Sequence, residues 1–377
     1  MSTVGPAARC TRLLADYGAL VVKVGPVPSA DAAPIVPQYF AYSGHRGMRR
    51  VLVDLKDPEG REAFLSLAGA ADVVVESFRP GVVDRLGVGY SAVSERNPRI
   101  IYCSTSGYGQ DGPASQWAGH DIDYLAVGGF LAMSTPGVGG VPPLPGATVA
   151  DAAGGMQAAL AVTAALASRA TTGRGAYLDV SVAEGVLWLT SLAIDEQLAL
   201  GGDVLPGHDI LSGRFACYGT YAGSDGKWLA VGAIEARFFA NLCAALGLPE
   251  LVAFQLDDTK QDRIRSAFVS AFARRTRDEW VAELAGADTC VAPVLSIAEV
   301  TASPQFVARG VVGEALHPTE GAVAQLAPLL AGMARRPASG GPVALPDMTQ
   351  TDTEHLLKEA GVDGETVARW VARQVVA

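Results

Sequence analysis

Apolar and polar positions alternate between two rhythms along the first half of the chain. Residues 7–17 carry apolar side chains at helical spacing, and Gly18 follows where a helix C-terminus favours a left-handed residue. Ala19-Leu20-Val21-Val22-Lys23-Val24 reads as a short buried strand, and Arg50-Val51-Leu52-Val53-Asp54-Leu55 as a second. Asp57-Pro58 opens a helix running to about Ala70, with Pro58 at its first position and Glu59 in its first turn. Residues 71–76 and 99–104 supply two further strands. A helix over 152–169 follows a Pro/Gly-rich loop at 136–146, Gly173-Arg174-Gly175 is a turn, and 176–182 is again strand-like. Strands alternating with helices predict βαβ units and a mostly parallel sheet. The irregular stretch 26–47, rich in Pro, Ala and Gly, is too long for an ordinary connector and is a candidate binding loop.

The rhythm changes near Gly213. Residues 215–221 alternate like a half-exposed strand, Ser224-Asp225-Gly226 signals a hairpin turn, and 227–232 form the return strand. Helical patterns follow over 236–246, 261–273 and 277–284. This block reads as a smaller α+β unit inserted into an α/β architecture. The tail, 351–376, is helical in pattern, with Thr351 or Asp352 as its cap. No internal repeat or low-complexity tract is visible.

Composition then removes whole classes of function. With 49% hydrophobic and 18% charged residues, the 377-residue chain buries enough surface to offset ordering entropy, so it is not a disordered protein. Its length suits one large domain or two ordinary ones. A net charge of −10 without a basic cluster argues against a nucleic-acid groove and against docking on an anionic membrane. Cys10, Cys103, Cys217, Cys243 and Cys290 are widely spaced, which predicts reduced, mostly buried thiols in a cytoplasmic protein, not zinc ligands or a disulfide framework. Residues 1–6 lack the pattern of a signal peptide, and the longest apolar helical run, 158–167, is too short to span a bilayer.

Several short motifs remain as candidate chemistry. Gly107-Tyr108-Gly109-Gln110-Asp111-Gly112 fits G-x-G-x-x-G after a strand, but Pro113 follows and no helical pattern starts before Trp117, so a glycine turn is the better reading than a dinucleotide site. His120, between Gly119 and Asp121, is either a surface or cap histidine or a proton carrier suited to neutral pH. Asp151 is either a helix N-cap or a reactive carboxylate. In the second case Gly154-Gly155 would permit close approach of a ligand, and the helix start would favour a developing enolate oxygen. Glu235 follows a strand end and is either a helix cap or a functional carboxylate. No H-E-x-x-H, no phosphate-binding G-x-x-x-x-G-K-[ST] and no G-x-S-x-G occurs, so no metal is expected.

Taken in order, these residues resemble the family III CoA-transferase superfamily of CaiB/BaiF type, and within it the α-methylacyl-CoA racemase branch. The markers are Leu13-Leu14-Ala15-Asp16-Tyr17-Gly18-Ala19, Asp54-Leu55-Lys56, Phe78-Arg79-Pro80-Gly81 with Arg85-Leu86-Gly87, and Ser106 through Pro113. Gly119-His120-Asp121, Asp151 with its glycine pair, Asp225-Gly226-Lys227 and Val231-Gly232-Ala233-Ile234-Glu235 complete the set. In transferases the segment matching 119–121 usually carries Tyr, and the Asp matching Asp151 forms an acyl anhydride. The racemase pattern has His at 120 and Glu at 235, as here.

The resemblance implies His120 and Asp151 as the acid–base pair, Glu235 as the group orienting His120, and amides near Gly154 and Gly155 as holders of the enolate oxygen. It also implies contacts to acyl-CoA from Arg79, Arg85, Asp54, Lys56, Gly119 and Asp121, with no cofactor beyond that substrate. The implied fold is α/β: a Rossmann-like large domain from residues 1–200 and 305–377, and a small α+β domain from 201–304. Two chains would interlock as a homodimer with the active site at their interface. Departures are visible too. Family members usually begin with a strand before Val4, so the sheet is expected to lack it or the start to be misassigned. Gly25-Pro26-Val27-Pro28 stands where an Arg is frequent, and the tail after Thr351 is more transferase-like. The alternatives are a CoA-transferase with Asp151 as nucleophile and a catalytically silent CoA-binding protein. The acyl chain stays open among branched fatty, sterol side-chain and arylpropionyl thioesters.

Overall fold

The computed structural model describes residues 1–2, 4–28, 44–329, 343–345 and 350–377. Most of the loop predicted over 26–47 therefore lies outside the described residues. The chain divides into two compact units. The first comprises Met1–Phe130, Pro145–Ser191 and Pro304–Ala377; the second comprises Leu131–Leu144 and Leu192–Ser303.

Parallel strands organise the first unit. Strand β1 (Val22–Gly25) pairs with β2 (Arg49–Leu52). Strands β3 (Val73–Glu76), β4 (Ile101–Ser106) and β5 (Ala176–Ser181) form a separate parallel sheet with β4 at its centre. Every residue of β4 is buried, as a strand covered on both faces should be. The sequence predicts a mostly parallel sheet, and the strands that form here are parallel. They fall in two sheets, because β1 and β3 are not hydrogen-bonded to each other. The Met1 amine donates to the Val75 carbonyl of β3 at 2.8 Å, and Met1 and Val4 line a cavity with Val24 and Gly25 of β1 and Ser77 beyond β3.

The helices around these strands have local causes. Helix Pro58–Ala70 starts as predicted: Asp57 caps it by accepting the Glu59 amide at 2.8 Å. Helix Gly5–Asp16 lies close against helix Val149–Thr172, and Gly155 makes that approach possible. A Cβ there would stand 2.7 Å from Arg9 Cβ and 3.0 Å from the Pro6 carbonyl. Helix Thr353–Glu359 and helix Gly364–Ala372 bury Leu357, Val367 and Trp370 against Val51, Val53 and Ala63, so both chain ends build one core. The predicted helical tail is broken between them at Gly361, whose φ is +89°. An antiparallel hairpin of β9 (Val312–His317) and β10 (Gly321–Leu326), with β11 (Val343–Ala344) parallel to β9, was not foreseen. Nor was helix Val182–Leu200.

Helix Val149–Thr172 corrects two expectations. It begins three residues before the predicted start at 152, so Asp151 sits inside its first turn and Thr148 takes the cap position. At 24 residues with hydropathy 1.3 it is also long and apolar enough to cross a membrane by length and composition, unlike the run 158–167 judged alone. Its Ala153, Gly154, Gly155, Ala158 and Val162 are buried within the unit. Cys10, Cys103, Cys217 and Cys243 are buried, and Cys290 is exposed; all five are free thiols. Burial pushes Cys10 and Cys243 up to about 12.

In the second unit an antiparallel sheet of β6 (Tyr218–Ala222), β7 (Trp228–Gly232) and β8 (Val291–Pro293) carries helices Ala236–Leu246, Gln261–Phe272 and Arg277–Leu284. Phe239, Leu242, Phe268, Phe272 and Trp280 form its centre. Beside this core Arg277, only 4% exposed, binds Glu299 with two guanidinium nitrogens and donates to the Val294 carbonyl. Glu299 also accepts from Lys227 and the Ser296 amide. These contacts, Arg277 foremost, hold the Glu299 carboxyl well below its ordinary value of 4.5.

A depressed carboxylate stabilises the fold above its unfolded-state value and stops doing so as pH falls through the folded one. Glu299→Gln is therefore expected to lower stability at neutral pH. It should also reduce the further loss seen in urea unfolding between about pH 5 and pH 3. An unchanged acid-induced loss would contradict this role.

Candidate active site

The site grows from the carboxyl end of β4, where a parallel sheet opens to ligands. After Ser106 the chain turns through Gly107, which has no room for a side chain: a Cβ would stand 2.5 Å from the Tyr124 ring. Gly119 is confined likewise, with a Cβ 2.8 Å from both the Tyr108 hydroxyl and the Tyr124 ring. The Tyr124 hydroxyl donates to the Gly119 carbonyl at 2.6 Å. Tyr108 meets Tyr124 and Trp117 edge-on, with centroids 5.1 and 5.8 Å apart. The glycine motif thus shapes an aromatic cluster, with positive φ at Gly109 and Gly112, and opens no helix onto a dinucleotide. Gly119 lines the cleft through this packing.

The cluster sets His120 immediately before helix Asp121–Val127. The His120 amide donates to Asp123 Oδ2 at 2.8 Å, and the Asp123 amide returns a bond to the His120 carbonyl at 2.9 Å. His120 is exposed on a cleft of about 390 Å³, together with Arg79, Ser106, Asp123 and Tyr124. Ser106 is 8% exposed, and its Oγ is buried there with no partner among the described residues.

Asp151 is half-buried. Burial raises its pKa above the ordinary 3.8 and the Asp121 carboxylate raises it further, while Arg9 and His120 pull it back down. The Asp151 amide donates to Asp121 Oδ2 at 2.9 Å, joining the start of helix Val149–Thr172 to helix Asp121–Val127. Behind it, Arg9 donates to Thr148 Oγ1. A carboxyl with raised proton affinity, tied through Asp121 to the turn that carries an imidazole, offers two candidate proton carriers on linked elements.

One assignment, that of the glycine amides, changes with the geometry. Gly154 and Gly155 lie beyond the first turn, where helix amides are engaged in the i→i−4 ladder, so they have no free N–H to offer an enolate. They are small because other elements press on them: Gly155 faces helix Gly5–Asp16, and a Cβ on Gly154 would stand 3.3 Å from the Val182 side chain. The Asp121 carboxylate, expected to meet substrate, accepts the Asp151 amide through Oδ2.

The loop after β3 carries Arg79. Buried Glu76 accepts the Phe78 amide at 2.7 Å, and Gly81 turns the chain at φ +81°. Arg79 and Arg85 are both exposed and form no ion pair with a described residue. A second cavity of about 390 Å³ lies at the carboxyl ends of β1–β3, lined by Asp54, Leu55, Lys56, Gly25 and Phe78 among others. Ser77 and Phe78 line both cavities; Arg85 lines neither. Asp54 Oδ1 accepts the Lys56 amide at 2.9 Å, which orders that turn.

Glu235 belongs to the second unit. It precedes helix Ala236–Leu246, is exposed, and its side chain does not cap that helix. No group of three or more His, Cys, Asp or Glu side chains suited to a metal ion occurs among the described residues. Sequence reasoning passed over Tyr124, Asp123 and Ser106. Tyr124 stands four positions after His120, a spacing that signals a shared helix face. Ser106 carried only the weak signal of ending a strand before a glycine.

Comparison with known proteins gives the family. The model of CoA-transferase family III matches residues 1–348. Human alpha-methylacyl-CoA racemase is 36% identical over 303 residues, covering 80% of this chain and 77% of the racemase. Human succinyl-CoA:glutarate CoA-transferase is 31% identical over 369 residues, covering 94% of this chain and 82% of the transferase. A crystal structure of a CAIB/BAIF family protein from Brucella suis superposes with a TM-score of 0.75 at 27% identity, covering 96% of each chain. With a mixed α/β fold, the family's motifs in order and relatives aligned over most of its length, this chain belongs to CoA-transferase family III.

Proposed function

We propose that the protein is an α-methylacyl-CoA racemase, interconverting (2R)- and (2S)-2-methylacyl-CoA. The observation that carries this reading is the tie between the two residues' elements: the Asp151 amide donates at 2.9 Å to Oδ2 of Asp121, the residue that follows His120. A transferase needs only the carboxylate; inversion at C2 needs a proton acceptor on one face and a donor on the other. One residue takes the C2 proton, and the C–H electron pair moves into the thioester to give an enolate. The other residue returns a proton to the opposite face, and the roles exchange in the reverse direction. The positive end of helix Val149–Thr172 favours the enolate charge as it develops. Only the thioester and these side chains are required.

The CoA moiety would extend from the His120 cleft past Ser77 and Phe78 into the cavity at Asp54 and Lys56, with Arg79 and Arg85 available to its phosphates. In a Rossmann-like large domain with a small partner domain, Glu235 from a second copy would orient His120. Exposed apolar residues on two long helices support a homodimer: Leu160 is 71% and Trp188 75% exposed, with Met156 and Leu187 beside them in sequence spacing.

A second reading is favoured by one observation. The succinyl-CoA:glutarate CoA-transferase match spans 94% of this chain, and Asp151 is a half-buried carboxylate able to act as nucleophile. Chiral chromatography of (2R)-2-methylacyl-CoA incubated with the protein separates the readings. Epimerisation without an acceptor acid is expected. CoA transfer that appears only on adding a free acid would replace the racemase reading, and binding without either reaction would leave a CoA-binding protein.

A further inference from the structure

Both candidate catalytic residues have their backbone amides held by carboxylates from one helical turn. Asp123 Oδ2 takes the His120 amide at 2.8 Å, and Asp121 Oδ2 takes the Asp151 amide at 2.9 Å. His120 and Asp151 are 31 positions apart and belong to different helices, so their mutual placement depends on such a link. We propose that Asp121 and Asp123 act as a bracket that sets the His120–Asp151 geometry, with Asp121 as a positioning residue for Asp151. This rests on the racemase reading for its kinetic consequence, though the bracket itself does not.

Two features argue for a bracket in place of ordinary capping. Asp123 reaches back to the residue before its own helix, as a capping residue does. Asp121 reaches across to another helix and secures the amide of the reactive residue itself. Such an amide, in the first turn, has no helical acceptor, so without Asp121 it would be free to shift. The bracket also brings a negative charge to Asp151. The groups bearing on Asp151 are Arg9 from helix Gly5–Asp16, His120, and Asp121 and Tyr124 from helix Asp121–Val127. Arg9 and His120 favour its ionised form, and Asp121 opposes it. Asparagine at 121 keeps an oxygen for the Asp151 amide but removes the charge; alanine removes both.

The test uses the full chain with Asp121→Asn and Asp121→Ala. The Asp151 carboxyl is followed by carbon NMR against pH and assigned by its absence in Asp151→Asn. Asp121→Asn should move the Asp151 midpoint to lower pH and lose less kcat for epimerisation than Asp121→Ala, because it keeps an oxygen for the Asp151 amide. Asp121→Ala should cut kcat by about tenfold or more with little change in KM, because a misplaced reacting group loses orientation rather than binding. An unmoved midpoint in Asp121→Asn, or undiminished kcat in Asp121→Ala, overturns the proposal. If the alanine variant fails to fold, the asparagine midpoint decides alone. If the original protein shows no epimerisation, the racemase reading falls, and the NMR midpoint still judges the bracket.

Discussion

Asp151→Asn is expected to lower epimerisation by about 10²–10⁴-fold, the usual contribution of a positioned proton carrier. The amide side chain keeps the shape of aspartate but neither takes nor gives a proton at the required strength. CoA transfer, if the protein performs it, should vanish as well, because the acyl anhydride needs the carboxylate oxygen. The pH profile carries a second signature. In the direction in which Asp151 removes the C2 proton, activity rises with pH as Asp151 ionises. Burial first, then Asp121, raises its pKa, so that rise should be centred above the ordinary aspartate value of 3.8. A steady-state profile from each epimer checks the sign, and a variant with near-original rates would remove Asp151 from the chemistry.

His120→Ala should be as damaging to epimerisation, about 10²–10⁴-fold, because one face of C2 is left without its proton carrier. Its effect on CoA transfer should differ, since an anhydride route through Asp151 does not call on the imidazole. Assaying both reactions in one variant therefore separates the two chemistries open to this family. Loss of epimerisation with any transfer retained fits the racemase account. Equal loss of both would mean that His120 serves binding or folding.

Much of this site could be read from residue order before any coordinates. Asp57-Pro58-Glu59 announced its helix, because the cap, the missing N–H and the early acid all act locally. Helices Ala236–Leu246 and Arg277–Leu284 fell where their apolar spacing put them. His120, Asp151 and Glu235 stood out through the family pattern, and His120 and Asp151 both belong to the first unit. What was not legible depends on distant contacts. The segments of the β9–β10 hairpin, Val-Gly-Glu-Ala-Leu-His and Gly-Ala-Val-Ala-Gln-Leu, are rich in residues at home in helices, and only pairing with each other makes them strands. Helix Val182–Leu200 is apolar on most sides, so it lacks the periodicity that reveals a helix.

Gly154 and Gly155 were misread for a related reason. A glycine pair near a reactive carboxylate suggests ligand access, yet these two answer to Val182 and to helix Gly5–Asp16. The tie from Asp121 to Asp151 was not legible, because the two are remote in sequence. Local chemistry identifies the reactive side chains; tertiary contacts decide which neighbours serve them.

The most direct test of the two-base account is one proton NMR measurement. The protein is incubated with a single epimer of 2-methylacyl-CoA in D₂O, and both epimers are examined early in the reaction. Deuterium at C2 in the inverted product, with the remaining substrate still protiated, is the predicted result. Inverted product that keeps its C2 proton, or no exchange at C2 at all, would contradict it.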